Sequence, residues 1–326
     1  MRKTATEKLS VLRVVSLCIL ILEPSSHNFQ KGNHYDPSLH PDPFVPKSPA
    51  MHLRRETRAL AINAFVLLTL LSGCDTEQEV PPPPQPASLT AEVGDKPGIY
   101  RPSQNLFALA FVHKPVFADL TFAFGQSGDT PIAGDWDGDG RDSVGVFQSQ
   151  TATYSLRNTP TAGPPDVTFV FGEPGDVPIV GDWNGDGSDT VGVYRASTLT
   201  FYLKNTNEQG KADITIVFGE KGDLPFAGDW DGNGKSEVGV YRPSKTSFLL
   251  RRVLDKEEPT TPIVFGAPGA FPIAGDWDGN GTDTVGIFEP AHQAFSWRNT
   301  NTSGQAEARV GFGIAGDLPV PGAWVP

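Results

Sequence analysis

The chain has 326 residues, with 26 Lys and Arg against 38 Asp and Glu, a formal net charge of −12. Residues 1–73 hold 9 of those basic and 5 of those acidic residues, which leaves 17 against 33, or −16, for residues 74–326. Such an acidic surface excludes nucleic acid as the partner, because a phosphate backbone needs a basic footprint; with only Cys18 and Cys74 in the chain, it also has no disulfide framework or thiol nucleophile beyond residue 74.

Residues 1–50 carry an apolar run at 11–22 and then a His- and Pro-rich stretch with no pattern, and read as an over-extended start; the competing reading is a signal-anchor at 9–22. From Met51 the chain looks different. A basic stretch, MHLRRETR (51–58), precedes an apolar run, ALAINAFVLLTL (59–70), and then Leu71-Ser72-Gly73-Cys74. The apolar run is shorter than the ~20 residues a membrane span needs and has the length of a signal-peptide core. In that order these parts resemble the bacterial lipoprotein signal, which implies cleavage before Cys74 and lipid attachment to its sulfur. Residues 74–90, DTEQEVPPPPQPASLT with its leading Cys, form an acidic, Pro-rich tether.

Beyond the tether the chain repeats. GDWDGDGRDS (134–143), GDWNGDGSDT (181–190), GDWDGNGKSE (228–237) and GDWDGNGTDT (275–284) recur at a step of 47 residues, and a degenerate fifth copy, GAW (322–324), ends the chain on the same step. A fixed period of this length marks a repeat architecture. Each loop is followed by a run such as VGVYR (191–195), a second such as LTFYLK (199–204), a polar turn, a third ending in Phe-Gly such as ITIVFG (214–219), and a fourth leading into the next Gly-Asp-Trp. The runs are short, rich in Val, Ile, Phe, Tyr and Thr, and bounded by Gly, Pro, Asn or Asp, which predicts strands. Four strands per unit is the size of a propeller blade.

The two ends complete one another. Residues 97–101, 106–111 and 120–125 match the first three strands after a loop, and 318–324 match the one before it. The fold predicted is therefore all-β: a five-bladed propeller over 91–326, its fifth blade shared by the N- and C-terminal strands. Closure of this kind removes exposed sheet edges.

The loops have the form D-x-[DN]-x-[DN]-G, which places oxygen ligands at positions 1, 3 and 5, a sharp Gly turn at 6 and a backbone carbonyl at 7, the first half of a Ca2+ loop. The candidate ligands are Asp135, Asp137, Asp139 and Arg141; Asp182, Asn184, Asp186 and Ser188; Asp229, Asp231, Asn233 and Lys235; and Asp276, Asp278, Asn280 and Thr282, the seventh position acting through its carbonyl. The alternative is that these are Asx-turns without metal. Joined to Phe-Gly turns, as in Phe265-Gly266-Ala267-Pro268-Gly269, the loops resemble the FG-GAP/VCBS repeats found in integrin-type propellers and many bacterial surface proteins. The resemblance spans roughly 88–326. It implies an acidic ligand at position 9, which only Glu237 supplies; Ser143, Thr190 and Thr284 stand there in the other loops, where a hydroxyl or water would replace the carboxylate.

Trp136, Trp183, Trp230, Trp277 and Trp324 recur once per blade and are expected to pack between blades; bolder is a ring that stacks on sugars. Asp129, Asp176, Asp223 and Asp317 recur in Gly-Asp turns, with Ala270 breaking the set. A glycosidase needs an unmatched carboxylate pair in one cleft, and none stands out, so no catalytic residues are expected. His113 and His292 are single, and 251–262 reads as a charged, solvated loop. The expectation is a monomeric, Ca2+-binding, non-enzymatic propeller, lipid-anchored at Cys74 to a bacterial envelope membrane, that binds an envelope protein or glycan. The alternatives are a multivalent lectin and a glycoside hydrolase.

Overall fold

The computed structural model describes residues 92–326 except 257–258. The apolar runs, the Leu-Ser-Gly-Cys sequence with Cys74 and the tether lie outside the described residues. Every regular element described is a β-strand. β1 (Gly98–Arg101), β2 (Leu106–Leu109) and β3 (Leu120–Ala123) come first. Blade 1 is β4 (Thr130–Gly134), β5 (Ser143–Gln148), β6 (Thr153–Leu156) and β7 (Val167–Val170); blade 2 is β8 (Val177–Gly181), β9 (Thr190–Arg195), β10 (Thr200–Leu203) and β11 (Ile214–Val217). Blade 3 is β12 (Leu224–Gly228), β13 (Glu237–Arg242), β14 (Ser247–Leu250) and β15 (Ile263–Val264); blade 4 is β16 (Phe271–Gly275), β17 (Thr284–Glu289), β18 (Ala294–Trp297) and β19 (Ala308–Gly311). β20 (Leu318–Pro319) joins β1, β2 and β3 in the order β20-β1-β2-β3 to make blade 5. The result is the predicted five-bladed propeller of antiparallel four-stranded sheets.

Closure follows the predicted pairing, with Ile99 opposite Pro319 and Tyr100 opposite Leu318. The strand expected over 318–324 is regular for only two residues. Pro319 and Pro321 have no N–H to give to a ladder, so pairing continues as separate contacts: Val320 N–H to the Gly98 carbonyl at 2.8 Å and a Lys96–Gly322 bridge. β15 is similarly short, directly after Pro262.

The Val-Gly-Val run explains how the blades stack. Val191 and Val193 of β9 are buried in the aromatic cluster of blade 1, against Trp136, Phe147, Tyr154, Phe169 and Phe171. Val238 and Val240 pack in the same way on blade 2, and Val285 and Ile287 on blade 3. The ring closes when Val144 and Val146 pack on blade 5 beside Trp324 and Tyr100. The glycine between the valines sits under side chains of its own sheet: a Cβ on Gly145 would lie 2.8 Å from both Ile132 and Leu156. Each buried Val contributes roughly 1.5–3 kcal/mol, so the interfaces between blades carry much of the fold's stability.

Candidate metal centre

Each Gly-Asp-Trp loop is folded around its first carboxylate. In loop 1, Asp135 accepts N–H bonds from Gly138 (2.8 Å), Asp139 (3.1 Å) and Gly140 (2.7 Å), and Asp139 accepts from Arg141 N–H (2.9 Å). Gly140 has φ +82°, the left-handed turn reserved for glycine at position 6. Asp182 and Asp229 repeat the three bonds, and Asp276 accepts from Asn280 and Gly281. Asp186, Asn233 and Asn280 accept from the N–H groups of Ser188, Lys235 and Thr282. These Asx-type bonds hold the loops in shape by themselves, and they leave the remaining carboxylate lone pairs for a cation.

Two loops collect three carboxylates at one point. Single oxygens of Asp135, Asp137 and Asp139 lie within 4.8 Å of one another, as do those of Asp229, Asp231 and Glu237. Glu237 is buried, with Trp230 N–H 3.3 Å from its Oε2. Burial pushes its carboxyl up to about 8, and the nearby Asp231 and Asp229 add to the rise against that hydrogen bond. Three close carboxylates on an oxygen-only site suit a hard divalent cation, which would relieve their repulsion. Loop 2 is arranged differently: the Asn184 amide donates to Asp186 at 2.9 Å, so position 3 closes on position 5. In loop 4, Asp278 and Asn280 leave only two carboxylates, Asp276 and Asp278, in the ligand positions.

Two of the three position-9 hydroxyls are committed to backbone carbonyls, while the buried Ser143 hydroxyl of loop 1 has no hydrogen-bond partner. Thr190 Oγ1 donates to the Lys204 carbonyl at 2.7 Å and Thr284 Oγ1 to the Arg298 carbonyl at 2.6 Å. Both acceptors belong to the threonine's own sheet, and Thr190 Oγ1 also lies 3.3 Å from the Gly181 carbonyl. Blade 5 has Ala323 at position 1 and the buried Lys96 at position 9. An ammonium without a first carboxylate does not make a metal site.

Position 8 has a role that its spacing did not reveal. Asp189 Oδ2 accepts the Asp135 N–H of the preceding blade at 2.9 Å, and its own N–H returns to the Asp135 carbonyl at 2.7 Å. Ser236 does this for Asp182, Asp283 for Asp229 and Asp95 for Asp276, while Asp142 takes the Ala323 N–H. The first ligand of every loop is thus pinned by the next blade. The last glycine of the inner strand makes room: a Cβ on Gly134 would meet Asp189 at 2.9 Å. Asp95, Asp142, Asp189 and Asp283 therefore form a ring of enclosed carboxylates around the inner strands. Burial raises all four, Asp142 to about 6 and Asp283 to about 7, and carboxylates elsewhere in the ring add to the rise in Asp95, Asp189 and Asp283.

The other recurrent residues are structural. The five loop tryptophans are between 1% and 8% exposed and pack in the clusters between blades, so they are not available to stack on a sugar. The Gly-Asp aspartates cap their own turns, as in Glu173 N–H to Asp176 at 2.9 Å, and three of them pair with arginines of the neighbouring strand. His113 pairs with Glu92 and His292 with Glu289. In 251–262 the expected solvated loop is partly organised by a buried residue, Arg251, whose guanidinium donates to the carbonyls of Val253 and Lys256. Two shallow clefts, one of about 340 Å³ beside Pro262 and Asn301 and one of about 400 Å³ beside Phe117 and His292, are lined without an Asp or Glu. Comparison with protein-family models, with curated proteins and with solved structures finds no match for this chain.

Proposed function

We propose that this chain is a Ca2+-binding propeller of the FG-GAP/VCBS type, lipid-anchored through Cys74 to a bacterial envelope membrane, and that it works as a binding or scaffolding module for another envelope component. The observation that carries the metal is the pair of carboxylate triads in loops 1 and 3. Asp135, Asp137 and Asp139 would hold one ion and Asp229, Asp231 and Glu237 another. Lacking the bidentate acid of a full Ca2+ loop, they would bind at the weak, extracellular end of the range, on the order of 10⁻⁴–10⁻³ M. The cation would brace a face whose loops are already tied blade to blade by the position-8 side chains.

The anchor rests on the order of basic stretch, apolar run and Leu-Ser-Gly-Cys. The non-catalytic reading rests on symmetry: the enclosed carboxylates of the ring are repeat-equivalent, whereas glycosidase chemistry needs two acids set apart in role. The buried tryptophans weigh against the lectin reading, leaving a protein partner ahead of a glycan. The test is a pull-down from envelope extract with the full lipidated chain, in Ca2+ and in EDTA. Enrichment of the same partner in Ca2+, lost in EDTA and in a D135A/D229A double variant, supports the proposal. A partner retained equally in all three overturns the Ca2+ dependence, and palmitate incorporation into a Cys74→Ser variant overturns the anchor.

A further inference from the structure

Opposite the metal-type loops, each inner strand begins at a Gly-Asp turn and the neighbouring strand ends beside it. In three blades this end is closed by a two-pronged ion pair. Arg195 Nε and Nη2 lie 3.0 and 2.8 Å from the two oxygens of Asp176, Arg242 lies 2.9 and 2.8 Å from those of Asp223, and Arg101 lies 2.9 Å from each of those of Asp317. In blades 2 and 3 a further nitrogen reaches Glu173 or Glu220. Blade 4 has lost both members together, with Ala270 for the acid and Glu289 for the base, and Glu289 pairs instead with Arg309 at 2.9 Å.

Blade 1 has lost only the base. Asp129 keeps its place, 7% exposed, and its Oδ2 accepts the Gln126 N–H at 2.8 Å. The strand position of Arg195 is taken by Gln148, whose Oε1 turns away to the Thr151 hydroxyl at 2.6 Å. Asp129 Oδ1 is left buried with no hydrogen-bond partner. A buried, unpaired carboxylate oxygen is costly to maintain, and burial raises this carboxyl above the usual range. Three filled copies in the same molecule show which group completes the geometry.

We infer that blade 1 carries a guanidinium seat at Asp129, which takes an arginine side chain supplied by another polypeptide. A planar fork that donates two parallel N–H bonds fits the two carboxylate oxygens, whereas an ammonium reaches them only as a point charge. Gln126 stands where Glu173 and Glu220 stand in the filled seats, and its carboxamide offers the third nitrogen a neutral acceptor. Asp129 Oδ1 is itself buried, so entry of the guanidinium requires the side chains that cover it to move aside. The seat is independent of metal binding and faces away from it.

The test follows the Gln126 amide resonance of the full chain in EDTA while N-acetyl-arginine amide, a mimic of protein-borne arginine, is added at millimolar concentration. Free arginine, whose carboxylate meets the acidic surface, and N-acetyl-lysine amide are added in parallel. A saturable shift is expected with the arginine amide, at least fivefold weaker binding with free arginine, and none with the lysine amide. Gln148→Arg fills the seat from within, so this variant should show no further shift on titration, and Asp129→Asn should not respond. A lysine response equal to that of arginine, equal binding of free arginine, an unchanged titration in Gln148→Arg, or no saturable shift in the unaltered chain overturns the inference. Gln148→Arg carries the test should Asp129→Asn fail to fold.

Discussion

Removing Arg101 tests how the ring is held shut. Arg101 and Asp317 come from opposite ends of the chain, 216 residues apart, yet meet through two bonds of 2.9 Å. Their exposures differ: the Asp317 side chain is 1% exposed and that of Arg101 23%. Arg101→Ala leaves a buried carboxylate with only its Ile314 N–H, at 2.8 Å, for compensation. Breaking a buried pair from one side costs about 3–5 kcal/mol, and the surviving bond puts the expected loss at the lower end, about 3 kcal/mol. Asp317→Asn keeps the Ile314 bond and leaves Arg101 where water reaches it, so about 1 kcal/mol is expected. The double variant should resemble Asp317→Asn rather than the sum, a coupling of about 2–3 kcal/mol. Urea unfolding of the full chain followed by tryptophan fluorescence reads all three. Gln148→Ala in blade 1, where no such pair exists, should cost less than about 0.5 kcal/mol. An Arg101→Ala loss no larger than that control would refute the argument that this buried pair clamps the closing blade.

Three further outcomes are expected. In EDTA, the raised carboxyls of Asp142 and Asp283 bind protons more tightly in the folded chain than in the unfolded one. Stability should therefore fall as pH rises from about 4 through 7, and Asp283→Asn, which keeps an acceptor for the Asp229 N–H, should recover about 2 kcal/mol at pH 8 in chemical denaturation. A profile that rises over that interval contradicts this. Thr246 is β-branched at φ +45°, at the position that Asn105 fills in blade 5, so Thr246→Asn should raise stability by about 0.5–1 kcal/mol in thermal melts, and a loss would count against backbone strain there. Because the Glu237 proton, held up to about 8, competes with a cation, Ca2+ affinity at loop 3 should rise with pH between 6.5 and 8.5, with about one proton released per ion; a pH-independent affinity would exclude Glu237 as a ligand.

Much of the fold was legible because the repeat is strict. The 47-residue step set the blades, and the complementary ends set the closure between 97–101 and 318–324. The loop tryptophans fell between blades for the reason their periodicity suggested. What stayed hidden depends on contacts between units. The aspartates at 142, 189 and 283 read as part of a loop motif, but their side chains serve the preceding blade, which spacing within one unit does not disclose. Nor does spacing show that Thr190 and Thr284 turn to carbonyls of their own sheets. A signal for the Asp–Arg pairs was present: acid and base recur 19 residues apart in blades 2 and 3, and both vanish together at Ala270 and Glu289. It takes the antiparallel register of the first two strands of a blade to see that they touch.

The central claim is that loops 1 and 3 are metal centres. Calorimetric titration of the full chain with Ca2+ at pH 8 tests it most directly. Two ions per chain are predicted, on the order of 10⁻⁴–10⁻³ M, with Asp135→Ala removing one and Glu237→Gln weakening the other. No heat at millimolar Ca2+, with the same melting temperature in Ca2+ and EDTA, would contradict it and leave the loops as hydrogen-bonded turns.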